Sequence, residues 1–186
     1  MNKIEKMKKL NDIKISKNIS YLTRHGALKE KIKITDDGWI EINDVIKFLT
    51  KMDTYGNLDD IKRIVENSDK QRFEIYEDRL IRAVQGHSIN INLEMKPITD
   101  TSLEIFHGTY YHLLDKIKKE GLNKMNRQYI HLTYKLEYVR KNCDILIYID
   151  IEKAINDNIK FYESKNNVIL TEGPLLSKYF KKIVYI

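Results

Sequence analysis

Cysteine, proline and glycine are scarce in this chain: one, two and seven among 186 residues, with five histidines and a single tryptophan. One cysteine, Cys143, excludes an internal disulfide framework and a multi-cysteine zinc site. Because it precedes the strongest apolar strand pattern, it is expected to be a core thiol. No apolar run approaches the ~20 residues of a membrane-spanning helix. The opening MNKIEKMKKLNDIKIS is charged throughout and has no apolar core or small-residue cleavage site. The expected location is therefore intracellular, cytoplasmic or nuclear, with no membrane partner. There is no G-x-G-x-x-G, no P-loop and no G-x-S-x-G, so Rossmann and Walker phosphate cradles and the hydrolase elbow are not indicated. Histidines 25, 87, 107, 112 and 131 show no metal-ligand spacing, and no metal is expected.

What is present is a globular composition, 42% hydrophobic and 32% charged, with a net charge of +6. The charge is uneven. Residues 1–33 hold ten Lys or Arg against three acids, a local balance of +7 that leaves −1 for the remainder. A basic N-terminal element on a neutral body points to a polyanionic partner, or merely to a solvated face.

Ile15, Ile19 and Leu22 fall at i, i+4 and i+7, which predicts a helix through ISKNISYLTRHG with Gly26 as its left-handed terminator. Asn43 or Asp44 can cap a second helix and Asn57 a third, and RFEIYEDRLIRAV alternates about Glu77-Asp78 as a β-hairpin. Three helices and a hairpin are the order of a winged-helix domain. A polar connector from Asn90 to Thr101 suggests two domains, 1–96 and 97–186. Beyond it, LEIFHGT, YIHLT, DILIYIDI, IKFYE, NVILT and YFKKIVYI read as strands around the helix YYHLLDKIKKE, which Gly121 ends. The expected fold class is α+β.

Three of the five histidines adjoin a glycine: Arg24-His25-Gly26, Gly86-His87 and His107-Gly108. Chance gives about 0.4 such adjacencies. Glycine lets backbone approach a ligand, and histidine adds a titratable donor or acceptor. Arg24 and His25 suit a phosphate, or else simply two cations at a helix end. Arg82 and Arg127 carry the same ambiguity.

ISKNISYLTRHGALK with TDDGWIEINDVI, then IRAVQGHS, FHGTYYHLLDKIKKEGLNKMNRQYIHLT and IKFYESKNNVILTEG, together resemble the NAD-dependent RNA 2′-phosphotransferase family. The resemblance spans nearly the whole chain. It implies a winged-helix N-terminal lobe that binds RNA, and a C-terminal lobe with an ADP-ribosyltransferase-like mixed β-sheet that binds NAD as co-substrate. It also implies an activity: the splice-junction 2′-phosphate of tRNA attacks NAD and expels nicotinamide, giving an ADP-ribosylated phosphate. A ribose hydroxyl then releases 2′-OH RNA and ADP-ribose 1″,2″-cyclic phosphate. The alternative is ADP-ribosylation, or capping, of terminal RNA or DNA phosphates.

By that resemblance the catalytic basic residues are Arg24, His25, Arg82 and Arg127, with Arg140 the fallback for the last. His107, Gly108, Thr109, His131, Ser164 and Asn166 are the implied NAD contacts. The partners implied are 2′-phosphorylated tRNA or RNA and NAD, with the protein acting as a monomer. Two positions depart from the family pattern. Val84 stands where an asparagine is usual and Tyr129 where a histidine is usual; both leave the basic tetrad intact.

Overall fold

A computed structural model describes residues 2–68 and 70–186. The chain divides into two compact units, one ending at Leu93 and the other starting at Glu94. Among the described residues there are five α-helices, ten strands, one π turn and several 3-10 turns. No helix there is long and apolar enough to cross a membrane.

The first unit begins with α1 (Lys3–Tyr21), started by Asn2 and Glu5 in a reciprocal capping box. Ile15 and Ile19 bury one stripe, while the N-terminal half is exposed. The helix does not stop at a left-handed Gly26. It widens into a π turn, Leu22–Gly26, in which the Ala27 amide reaches back five residues to the Leu22 carbonyl. Gly26 is needed for a different reason than the one expected: a Cβ there would run into the ring of Tyr21. β1 (Ile40–Glu41) leads into α2 (Ile42–Lys51), whose N-cap is Glu41 rather than Asn43 or Asp44. α3 (Leu58–Glu66) starts at Asn57 as expected, in a capping box with Asp60. β2 (Phe73–Tyr76) and β3 (Leu80–Ala83) form the hairpin, with Glu77 and Asp78 both at positive φ. β1 pairs with the other edge of β3. Ile15, Ile19, Leu22, Leu49, Ile61 and Ile81 fill the core and are fully buried.

The second unit contains two antiparallel sheets. β4 (Met95–Pro97), within the stretch expected as a connector, pairs with β8 (Tyr162–Ser164); β8 pairs with β9 (Ile169–Thr171), and β9 with β6 (Ile130–Leu132). β7 (Ile145–Ile149) is central in the other sheet, between β5 (Phe106–Thr109) and β10 (Phe180–Tyr185). Phe106 and Thr133 exchange both backbone hydrogen bonds, which brings β5 to the end of β6. The near-continuous apolar run ILIYI follows from burial of β7 on both faces. α4 (Leu114–Glu120) ends at Gly121, at positive φ. α5 (Ile151–Asn156) turns the chain between β7 and β8. Cys143 is half-buried ahead of β7, not a core thiol.

Candidate functional site

The residues singled out in the sequence fall into two groups, one per unit. In the first unit the π turn sets Arg24 and His25 against the loop that follows β3. The Ser88 amide donates to the Arg24 carbonyl at 3.0 Å, and His25 Nδ1 lies 2.9 Å from Ser88 Oγ. Arg24 Nη1 donates to Ser20 Oγ at 2.9 Å, and the guanidinium carbon stands 5.8 Å from the centre of the Phe73 ring. Arg24 is half-buried and His25 exposed.

Arg82 leaves β3 almost fully buried. Its Nε donates to Glu74 Oε2 at 2.8 Å and Nη1 to the Asp37 carbonyl at 3.2 Å, and its guanidinium lies 4.4 Å over the Trp39 ring. The register that pairs Glu74 with Arg82 across the hairpin makes the first contact. The Asp37-Gly38 turn makes the second, with Gly38 at φ 91°. Thr35, which donates to Asp37 at 2.6 Å, is the main influence holding the Asp37 carboxyl below its usual range, and Arg82 adds to it.

His87 is the residue that sequence reasoning left out of the site. Its side chain is 1% exposed, and neither ring nitrogen has a hydrogen-bond partner among the described residues. Burial, then the charges of Arg24, His25 and Arg82, lower its pKa to about 4. The three cations chosen from the sequence thus all bear on one neutral, unsatisfied imidazole. Such a cluster suits an anion, which would answer the cations and accept from the ring. The available signal was the Gln85-Gly86-His87-Ser88 string itself. Val84, one of the two departures, is buried, and its amide extends the hairpin to the Arg72 carbonyl.

In the second unit His107 Nδ1 lies 2.9 Å from the His131 carbonyl. A carbonyl only accepts, so Nδ1 carries the proton. Burial first, then Arg140 and Arg127, lower the His107 pKa against the raising effect of that carbonyl. The ring is therefore neutral, with Nε2 an acceptor suited to a hydroxyl donor. Arg140 weighs on His107 more than Arg127 does. Arg127 is exposed, and partial desolvation and then the Arg140 charge lower its pKa. Gly108 has no room for a Cβ because Val139 occupies that place, with Cys143 Sγ 3.3 Å away. Thr109 is buried, its carbonyl accepting from the Asp144 amide. Ser164 and Asn166 are buried in one turn, where Ser164 Oγ lies 2.9 Å from both Asn166 Oδ1 and the Val168 carbonyl and accepts from the Val168 amide at 3.2 Å. Tyr129, the other departure, has its pKa raised by burial, then by Glu172 and Tyr162.

Comparison with known proteins adds an independent finding. The family described as RNA 2′-phosphotransferase, Tpt1 / KptA family, matches residues 10–173. The chain is 37% identical over 179 residues to tRNA 2′-phosphotransferase 1 of Danio rerio, a match covering 87% of this chain and 79% of that one. It is 36% identical over 178 residues to the probable RNA 2′-phosphotransferase of Fusobacterium nucleatum, covering 92% and 98%. Against tRNA 2′-phosphotransferase 1 of Homo sapiens the identity is 35% over 191 residues, covering 92% and 75%.

Proposed function

The chain belongs to the RNA 2′-phosphotransferase, Tpt1 / KptA family, and from that premise we propose that it removes a 2′-phosphate from RNA with NAD as co-substrate. The observation that carries this reading is buried, neutral His87 surrounded by the charges of Arg24, His25 and Arg82. A phosphate group answers that demand: three cations for its oxygens, and an imidazole able to donate from one nitrogen.

NAD, when bound, supplies an electrophilic ribose carbon and a nicotinamide leaving group. The chain's own residues do the rest. Arg24, braced by Ser20, and His25, set by Ser88, hold the 2′-phosphate so that one of its oxygens is aimed as nucleophile. Releasing the RNA then requires a ribose hydroxyl to attack phosphorus while the bond to the RNA 2′-oxygen breaks and that oxygen gains a proton. Arg82, already fixed by Glu74 and Trp39, offsets charge on the phosphate oxygens without reorganising. His25 passes the proton, and Arg127, in the second unit, is the further basic residue that the family resemblance implies. His107 Nε2 would accept from a ribose hydroxyl of NAD, with Gly108, Thr109, His131, Ser164 and Asn166 shaping the surrounding backbone.

We read the first unit as a winged-helix RNA-binding lobe, supported by α1 to α3 followed by the β2–β3 hairpin. The second we read as an ADP-ribosyltransferase-like lobe, supported by its two antiparallel sheets linked at Phe106 and Thr133.

Incubation with NAD and a 2′-phosphorylated oligonucleotide tests the function. The expected products are 2′-OH RNA, nicotinamide and ADP-ribose 1″,2″-cyclic phosphate. Accumulation of ADP-ribosylated RNA without the cyclic phosphate would overturn this reading in favour of capping.

A further inference from the structure

A groove of about 490 Å³ runs along the first unit between α1 and α3. One wall carries Lys9, Asp12, Ser16, Lys17 and Ser20 from α1 and Arg24 from the π turn that continues it. Lys9, Asp12, Ser16, Ser20 and Arg24 follow one another at intervals of three and four and so share one face, with Lys17 beside Ser16. At 1.5 Å per residue the α1 part of that face, Lys9 to Ser20, is about 16 Å long. The opposite wall is Arg63 from α3, with Asn67, Ser68 and Arg72 from the segment between α3 and β2. Ile13 and Ile64 give it an apolar strip.

The charge in this groove is one-sided. Five cations line it against one carboxylate, Asp12. That carboxylate is taken up by Arg63, which grips it through both terminal nitrogens and reaches Asp60 as well at 2.7 Å. Lys9, Lys17 and Arg72 line the groove beside hydroxyl and amide groups, as does Arg24, which donates to Ser20 Oγ. An elongated, positively charged channel with neutral donors and a narrow apolar strip matches a single-stranded sugar–phosphate backbone. Arg24 joins the two features, because it lines this groove and also belongs to the cluster around His87. A polyanion with one phosphate at Arg24 is led directly into the groove.

We propose that the α1–α3 groove holds the backbone phosphates of the RNA strand flanking the nucleotide whose 2′-phosphate Arg24 and His25 engage. The proposal rests on the 2′-phosphotransferase reading and extends it from one phosphate to a track. It also gives the basic N-terminal helix a role, in which Lys9 and Lys17 select long RNA over short RNA.

The test compares two substrates with NAD, a 2′-phosphorylated trinucleotide and an RNA of about twenty nucleotides with one internal 2′-phosphate. In the variant Lys9→Glu, Lys17→Glu, Arg72→Glu, the ratio of kcat/KM for long over short RNA should fall roughly tenfold or more. The slope of log kcat/KM against log salt on the long RNA should flatten by about two, the value for three lost contacts to a single strand. A charge-matched control, Lys118→Glu, Lys119→Glu, Lys153→Glu, should keep the wild-type ratio. The milder pair Lys9→Gln, Lys17→Gln, checked by circular dichroism, gives the same direction should the triple variant fail to fold. An unchanged ratio and slope in a folded variant overturn the proposal. So does displacement of labelled RNA by polyglutamate as readily as by RNA, which would indicate an acidic protein partner. If wild-type protein dephosphorylates neither RNA, the phosphotransferase reading fails. Fluorescence anisotropy of labelled, unphosphorylated RNA then decides the groove alone: equal binding by wild type and variant overturns it, and weaker binding by the variant sustains it.

Discussion

Gly86 turns its Cα toward the guanidinium of Arg24: a Cβ at that position would stand 3.4 Å from Nε and 3.7 Å from Cζ. The backbone there has φ 92°, a conformation that L side chains rarely adopt. Alanine therefore meets ordinary contact with Arg24 but a strained backbone, and Gly86→Ala should lower unfolding free energy by about 1–2 kcal/mol. The folded Gly86→Ala protein should keep most of its rate. Gly86→Val adds bulk that Arg24 must yield to, and its rate should fall about a hundredfold more. Urea unfolding and the 2′-phosphate removal assay separate the two effects, and a Gly86→Val enzyme as fast as Gly86→Ala would refute the link to Arg24.

Arg24 and His25 are consecutive on the π turn, each braced by a serine: Ser20 for one and Ser88 for the other. In the proposed reaction each supplies a charge-assisted contact to phosphate. Removing either by alanine should cost about 2–4 kcal/mol of transition-state stabilisation, a roughly 30- to 1000-fold loss in kcat/KM. Because Arg24 is half-buried, His25 is exposed and neither belongs to the hydrophobic core, the circular dichroism spectrum should not change. Full activity in the Arg24→Ala, His25→Ala double variant would remove both from the mechanism.

His87 imposes a pH dependence on stability. Its folded-state pKa of about 4 lies well below the ordinary histidine value, owing to burial and to Arg24, His25 and Arg82. Between about pH 6.5 and pH 4 the unfolded chain takes up a proton that the folded chain refuses. The contribution is thus complete above about pH 6.5 and is lost as pH falls toward 4, a swing of up to about 3 kcal/mol. His87→Gln should flatten that part of the stability profile relative to wild type. Parallel profiles for the two proteins across this range, measured by urea unfolding, would show that His87 does not titrate as described.

These tests fall on features that differ in how far the sequence announced them. The β2–β3 hairpin was legible because Glu77-Asp78 interrupts two alternating runs, and both residues take the left-handed conformation such a turn needs. Asn57 was legible as a cap because it precedes a periodic apolar face. The π turn was not. Nothing in Leu-Thr-Arg-His-Gly distinguishes it from a helix end until Gly26 is seen flat against Tyr21. α5 was missed although Asp150 accepts from the Lys153 amide at 3.0 Å, because its six residues are too few to establish a helical period. His87 could be noticed beside its glycine, but its burial among three cations depends on contacts made by segments far apart in the chain.

Arg127 and Arg140 share the positive charge near His107, and Arg140 lowers the pKa of both other groups. If Arg127 supplies the fourth cation of the reaction, Arg127→Ala should lose roughly 30-fold or more in kcat/KM. Arg140→Ala should lose only a few-fold and should raise the His107 pKa by removing a repelling neighbour. Single-turnover rates settle the assignment, and an NMR titration of His107 measures the electrostatic effect independently. Equal tolerance of both substitutions would refute the choice of Arg127.

Gly108 and Val139 pack so closely that the protein itself requires the glycine: a Cβ on residue 108 would overlap Val139 Cγ1. Val139 is β-branched and has little rotameric freedom to withdraw. Gly108→Ala should therefore push the segment around Val139 away from β5, costing about 1–3 kcal/mol of stability. Val139→Ala removes the overlapping methyl. In the double variant the two effects should not add, and a coupling of about 1 kcal/mol or more is expected from a thermodynamic cycle. Nicotinamide release should recover along with stability, since the only thing restored is the seat of His107 on the same strand. Additive losses in the double variant would mean that the overlap at Val139 is not what makes glycine necessary at this position.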